Sequence, residues 1–173
     1  MNKQTNSVRQ KLLKPANLDD KDRMLLGILS TDATLSYAEL GKKIALSAPA
    51  VHERVKRLRK LGAIEATVAK LNGPAIGRPL LAFVHVEKFG GGAKNAFFEL
   101  ETEPDVEEVH TVAGDTCILM KVRCEDAQAL EDLLARIYAI EGVSGTRSYI
   151  ALSTYLERGP QPTIGSNPPQ PRG

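Results

Sequence analysis

The sequence predicts an α+β chain in two parts, a small all-helical unit followed by a mixed βαββαβ unit. Three observations predict it. Apolar residues recur at helical spacing from Leu18 to Gly62, and period-two alternation begins at Leu80. Between them lies a punctuated stretch holding Asn72-Gly73-Pro74 and Gly77-Arg78-Pro79. With 173 residues, 42% of them hydrophobic, each part has enough apolar side chain for its own core. The expected organisation is a flexible basic arm over 1–16, the helical unit over 17–65, a strand and hinge linker over 66–79, the mixed unit over 80–157, and a disordered Pro- and Gly-rich tail over 158–173.

In the helical unit, Leu18 and Asp19 open a first helix as staple and cap, with Leu25, Ile28 and Leu29 facing inward. A capping box, Ser36-x-x-Glu39, opens the second and sets Tyr37, Leu40 and Ile44 on one side. Ala45-Leu46-Ser47 interrupts that helix. Ser47 caps a third, Pro49 is tolerated in its first turn, and Gly62 supplies the stop. Val51, Val55 and Leu58 make the inner face of the third helix, and turning by 100° per residue sends Pro49, His52, Glu53, Lys56, Arg57 and Lys60 the other way. Three short helices with a basic third one predict a helix-turn-helix.

A run of Lys and Arg on a helix is ordinarily a solvated face, but here charge is sorted along the chain. Residues 1–65 hold 13 Lys and Arg against 7 Asp and Glu, a net of +6, and the remainder holds 10 against 14, a net of −4. The first part therefore suits a polyanionic partner. Lys3, Arg9, Lys11 and Lys14 give it an acid-free arm, which fits either a segment near phosphates or plain solubilising disorder. No apolar run approaches the roughly 20 residues that span a bilayer, and the N-terminus is polar rather than signal-like, so a cytoplasmic protein with no membrane partner is expected. Cys117 and Cys124 lie seven apart on one predicted strand, roughly 23 Å at about 3.3 Å per residue, too far to bridge. No metal-ligand spacing and no cofactor motif is present in the sequence.

After Gly62, Ile64 to Val68 reads as a short strand leaving the helical unit. Then LLAFVHVE is a strand, AKNAFFELE a helix, VEEVHTVA and TCILMKVRC strands, DAQALEDLLARIYAI a helix, and VSGTRSYIALSTYLE a final strand. That order predicts a ferredoxin-like domain, two helices over one face of a four-stranded antiparallel sheet. Ile118, Met120 and Val122 point one way, Cys117 and Leu119 the other, so the second face is partly apolar as well. A second copy of the chain is expected to cover it, with His85 packed there.

Four segments carry a family resemblance from Leu18 to Glu157: LDDKDRMLLGIL, ALSAPAVHERVKRLRKLGAIEATVAKLN, VHTVAGDTCILMKV and GVSGTRSYIALS. The chain resembles regulators of the Lrp/AsnC (leucine-responsive, asparagine-responsive) family. The resemblance implies a transcription factor whose homodimers bind pseudo-palindromic double-stranded DNA, often as octamers, with a small-molecule effector, usually an amino acid, bound in the C-terminal domain between dimers. At two positions of the helix-turn-helix this chain departs from the family's pattern: Gly41 stands where Ala is common, and Ala45 where Gly is common. A positive φ at Ala45 would strain the turn by roughly 1 kcal/mol.

Chemistry assigns roles at the DNA. Ser47 offers its amide and hydroxyl to a phosphate at a helix N-terminus. Ala48, Pro49 and His52 lie at the tip entering the groove, His52 able to bond a base edge and the apolar pair a thymine methyl. Lys56 and Arg57 flank the tip, and either reaches a phosphate, Arg57 also a guanine edge. Arg54 turns toward the core side, suiting an internal salt bridge as well as the DNA contact that the family's pattern suggests. Glu53 is expected to balance Arg57 at i+4.

For the effector, the resemblance points to the turn Gly114-Asp115-Thr116-Cys117 and to Thr146-Arg147-Ser148. Turn amides receive a carboxylate, and hydroxyls with an Asp read an ammonium. Many relatives carry a second acid where this chain has Cys117, and a thiol cannot pair with an α-ammonium as a carboxylate does. Cys117 is expected to be a small buried hydrophobe. Gly114 and Asp115 are equally ordinary hairpin chemistry, and Thr146 and Ser148 ordinary strand residues. Some proteins of similar two-part build are tetrapyrrole decarboxylases, for which His85 and His110 would be the acid-handling groups. Neither His has a nucleophile or metal motif beside it, so no enzyme is expected. A ligand-binding regulatory subunit without DNA binding would leave the sorted charge unexplained.

Overall fold

A computed structural model describes residues 15–88, 100 and 102–162. The chain divides into two compact units, residues up to Ala69 together with those from Arg158, and Lys70–Glu157.

The first unit is built on α1 (Asp20–Leu29), α2 (Tyr37–Ile44) and α3 (Ala48–Lys60). Its helix starts follow the capping residues. Asp19 and Ser36 both close reciprocal capping boxes, with Asp22 and Glu39 at the third position, and the Ser47 hydroxyl accepts from the Ala50 amide at 3.4 Å. Leu25, Leu40, Ile44, Val51, Val55 and Leu58 form the core, with Leu18, Leu29 and Leu46 packed around it. Tyr37 departs from its expected inward place and lies at the rim. The turn between α2 and α3 runs through Ala45 at φ 53°, the left-handed region expected to strain it. Gly41 explains how the turn closes, since a Cβ there would stand 2.4 Å from the Leu46 carbonyl oxygen. The small residue thus stands in the helix, at Gly41, while Ala45 takes the turn.

In the second unit β1 (Leu80–Lys88), β2 (Val106–Thr111), β3 (Ile118–Cys124) and β4 (Val143–Ile150) pair antiparallel in the order β2-β3-β1-β4. Helix α4 (Ala127–Tyr138), capped by Asp126, packs Leu130, Leu133 and Ile137 onto Ala82, Val84, Val86, Met120 and Val122. The predicted helix over 93–101 lies outside the described residues apart from Leu100, which is buried in this core.

Three expectations are corrected here. Ile64 to Val68 forms no strand, because a strand needs a hydrogen-bonded neighbour and none of the described residues supplies one. The last strand stops at Ile150 rather than Glu157. Its partner begins at Leu80 after Pro79, so pairing ends with Ala82 opposite Ile150 and the Ala151 amide on the Leu81 carbonyl. In the tail, residues 158–162 belong to the compact helical unit instead of being disordered, and 163–173 lie outside the described residues.

Candidate nucleic-acid interface and effector site

On α3 the apolar stripe and the polar stripe separate as the wheel requires. Val51, Val55 and Leu58 are buried, whereas Ser47, Pro49, His52, Glu53, Lys56, Arg57 and Lys60 are exposed and Ala48 is half-buried. Tyr37 of α2 lies beside the tip with its ring 5.2 Å from that of His52. Sequence periodicity assigned Tyr37 to the core and so missed it as a neighbour of the polar face. The His52 Nδ1 atom is 3.7 Å from a Glu53 carboxylate oxygen.

The two arginines are organised from α1. Asp22 is fully buried, and its carboxylate accepts from Arg54 at 2.8 Å and from Arg57. Arg54 also bonds Asp19 at 2.6 Å. The expected i+4 partnership of Glu53 with Arg57 is thus replaced by a tertiary one, because a buried carboxylate on the facing helix outcompetes a solvated one. Burial pushes the Asp22 pKa up, but the Arg57 and Arg54 guanidiniums outweigh it and hold the carboxyl below its ordinary value. Arg54 in turn is raised, chiefly by its bonds to Asp19 and Asp22. Asp22 is the residue that sequence reasoning missed: an acid in the first turn of a helix reads as a capping residue, and nothing local shows that two bases some thirty residues on converge upon it.

In the second unit the turn between β2 and β3 closes with the Val112 amide on the Cys117 carbonyl at 3.2 Å. Thr116 points inward and its hydroxyl donates to the Val86 carbonyl at 3.1 Å. Cys117, expected to be buried, is exposed, because alternation gives the inward place to Thr116 and the next to Ile118. Asp115 lies 3.3 Å from Arg147, which also sits 3.5 Å from Glu87. Arg147 pairs across from His85, on the sheet face that α4 leaves open, whereas Thr146 and Ser148 pair across from Val86 and Val84 on the other face. The structure therefore joins Asp115 to Arg147 and separates both from the two hydroxyls. Gly114 is exposed in the turn, and a Cβ there would meet nothing within 4 Å.

On the open face, His85 packs its ring 5.1 Å from Tyr149 beside exposed Phe83. Its buried Nδ1 has no hydrogen-bond partner among the described residues. Toward the far end, Lys121 bonds Glu157 at 2.5 Å and Glu107 at 3.1 Å. Burial lowers the Lys121 pKa, but those two carboxylates raise it further. Among the described residues no three His, Cys, Asp or Glu are arranged to hold a metal ion, and no helix is long and apolar enough to cross a membrane.

A helix-turn-helix whose third helix carries a solvated basic face, followed by a ferredoxin-like sheet, is an architecture that fits DNA-binding regulators. Residues 18–59 match the AsnC-type helix-turn-helix domain and residues 81–161 the Lrp/AsnC ligand binding domain. The chain is 33% identical over 140 residues to the HTH-type transcriptional regulator FL11 of Pyrococcus furiosus, covering 81% of this chain and 93% of that protein. It is 34% identical over 141 residues to the leucine-responsive regulatory protein of Escherichia coli K12, covering 79% and 85%. The structure of E. coli AsnC superposes with a TM-score of 0.78 at 26% identity, covering 84% of this chain and 99% of that one. The chain belongs to the Lrp/AsnC family of transcriptional regulators. These relatives are named as regulators, not enzymes, and the family carries both a DNA-binding and a small-molecule-binding domain.

Proposed function

We propose that this regulator reads double-stranded DNA with the exposed side of α3, as a homodimer in the cytoplasm, and adjusts that binding to a small molecule of amino-acid type. The observation that carries the reading is the solvated cationic face of α3. His52, Lys56, Arg57 and Lys60 are exposed together on a helix whose N-terminus is capped by Ser47, where the positive end of the helix dipole favours a phosphate. Ser47 takes a phosphate, Ala48, Pro49 and His52 meet base edges, and Lys56 and Arg57 grip the backbone. Arg54, engaged by Asp19 and Asp22, positions the helix. The open sheet face, with Phe83, Tyr149 and a His85 Nδ1 that has no partner among the described residues, suits burial against a second copy, and such dimers can assemble further, up to an octamer.

For the effector, Gly114, Asp115, Thr116 and Cys117 with Thr146 and Ser148 remain the candidate residues, and Arg147 joins them as the partner of Asp115. Support for an amino acid comes from the name of the leucine-responsive relative. With Asp115 engaged by Arg147 and a thiol at 117, an α-ammonium finds less negative charge here than two carboxylates would give it.

A gel-shift titration with genomic fragments tests the DNA reading. Retarded complexes are expected for the wild type and strongly weakened ones for a Lys56→Ala, Lys60→Ala double variant. Equal affinity of both proteins for every fragment would overturn it.

A further inference from the structure

The tail does something that its composition does not announce. The chain leaves the helical unit after Ala69, and after Glu157 it comes back, so the two units are joined by two strands of polypeptide rather than one. The crossings are tied together at their foot. Lys70 donates to the Glu157 carbonyl at 3.0 Å and lies 3.4 Å from its carboxylate, which Lys121 anchors to β3. The Lys121 bond, with Lys70 beside it, accordingly lowers the Glu157 pKa from its ordinary value.

Beyond that foot, Arg158-Gly159-Pro160-Gln161-Pro162 runs onto the helical unit. The Arg23 guanidinium donates to the Pro162 carbonyl at 2.8 Å. Gly27, one turn along α1, leaves room for the proline ring, since a Cβ there would sit 3.6 Å from Pro162 Cγ. Pro160, Gln161 and Pro162 form one wall of an apolar groove whose other walls include Leu26, Leu29 and Leu61. Two prolines in five residues stiffen the segment, so little chain entropy is lost when it seats.

We propose that residues 158–162 are an intrachain ligand of the helix-turn-helix unit: a return strap that clasps α1 through Arg23 and Gly27. Arg23 follows Asp22, the carboxylate that gathers Arg54 and Arg57, so the strap clasps α1 at the place from which α3 is braced. The inference goes beyond the DNA-binding reading, and its test requires no DNA.

Trypsin cleavage of the Arg158–Gly159 bond in the full chain measures the clasp, because a protease must draw the polypeptide out on both sides of the bond it cuts. Release of 159–173 is followed by mass spectrometry. Gly27→Glu fills the ring's place and offers Arg23 a carboxylate four residues away, while improving helix propensity. It is expected to speed cleavage about tenfold, the factor that one charge-assisted hydrogen bond supplies. Arg23→Gln should accelerate it as well, and Gly27→Ala, which fits at 3.6 Å, should leave it slow. Wild-type rates in Gly27→Glu and Arg23→Gln would overturn the proposal. So would protection that rises with protein concentration, which would assign the strap to a second copy.

Discussion

Replacing Asp22 by Asn takes one negative charge out of the helical core while keeping the side chain's shape. The carboxylate is fully buried and receives Arg54 at 2.8 Å, Arg57, and the Asp19 amide at 3.1 Å. An Asn retains one acceptor and turns an NH2 toward a guanidinium. One charge-assisted bond becomes ordinary, a loss of about 1 kcal/mol, and the other becomes a donor facing a donor, a loss of about 2 kcal/mol. Arg57 remains 44% exposed and Arg54 26%, so both keep some hydration and the total stays near 2–3 kcal/mol, below the value for a sealed pair. Amide hydrogen exchange at Val55 and Leu58 reads the opening free energy of this unit directly. The pH dependence has a definite sign. The folded Asp22 pKa lies below its ordinary 3.8, so the unfolded chain takes up the proton first and the stabilisation, complete above that value, is lost as pH falls through the folded one. The wild type should therefore lose its advantage over Asp22→Asn in acid. An opening free energy changed by less than about 0.5 kcal/mol would refute the assignment of Asp22 as the brace of α3.

Gly41→Ala should destabilise the same unit by about 2 kcal/mol, because its Cβ would meet the Leu46 carbonyl at 2.4 Å, and thermal melts should show the loss. Ala45→Gly relieves the positive φ and should gain about 0.5–1 kcal/mol; in the double variant the freed turn lets Leu46 move, so the two effects should not add. Thr116→Val removes the hydroxyl donated to Val86 and should lower the melting temperature of the sheet unit by an amount equivalent to about 1 kcal/mol. Tyr149→Glu places a charge on the open sheet face and should shift the protein toward monomer in light scattering. Cys117→Asp should tighten amino-acid binding in a twenty-compound calorimetric screen; unchanged affinities would separate this turn from effector recognition.

What the sequence revealed and what it hid divide along the distance over which each feature is encoded. Asp19, Ser36 and Ser47 cap their helices within four residues, so α1 to α3 could be read locally. Alternation through Ile118, Met120 and Val122 likewise placed β3 and its inner face. The end of β4 was not readable, because Ala151 to Glu157 alternate well enough for a strand and stop only where the partner strand ends. Nor were the convergence of Arg54 and Arg57 on Asp22 or the return of Pro162 to Arg23, contacts spanning 32 to 139 residues. The wheel placed Lys56, Arg57 and Lys60 on the exposed side of α3, but it did not show that Arg57 also reaches Asp22 or that Tyr37 lies beside His52. The candidate effector residues were named only through family resemblance, since Asp115 and Arg147 meet through the pairing of three strands.

The salt dependence of DNA affinity tests the central claim most directly. In fluorescence anisotropy with a labelled duplex, log K should fall linearly with log salt, at about −0.9 for each phosphate neutralised. Lys56→Ala, which removes an exposed charge of α3 and leaves the Arg57–Asp22 pair intact, should weaken binding and make the slope shallower by about one contact. A wild-type protein whose affinity for duplex DNA does not change with salt would contradict the claim that the cationic side of α3 lies against the phosphate backbone.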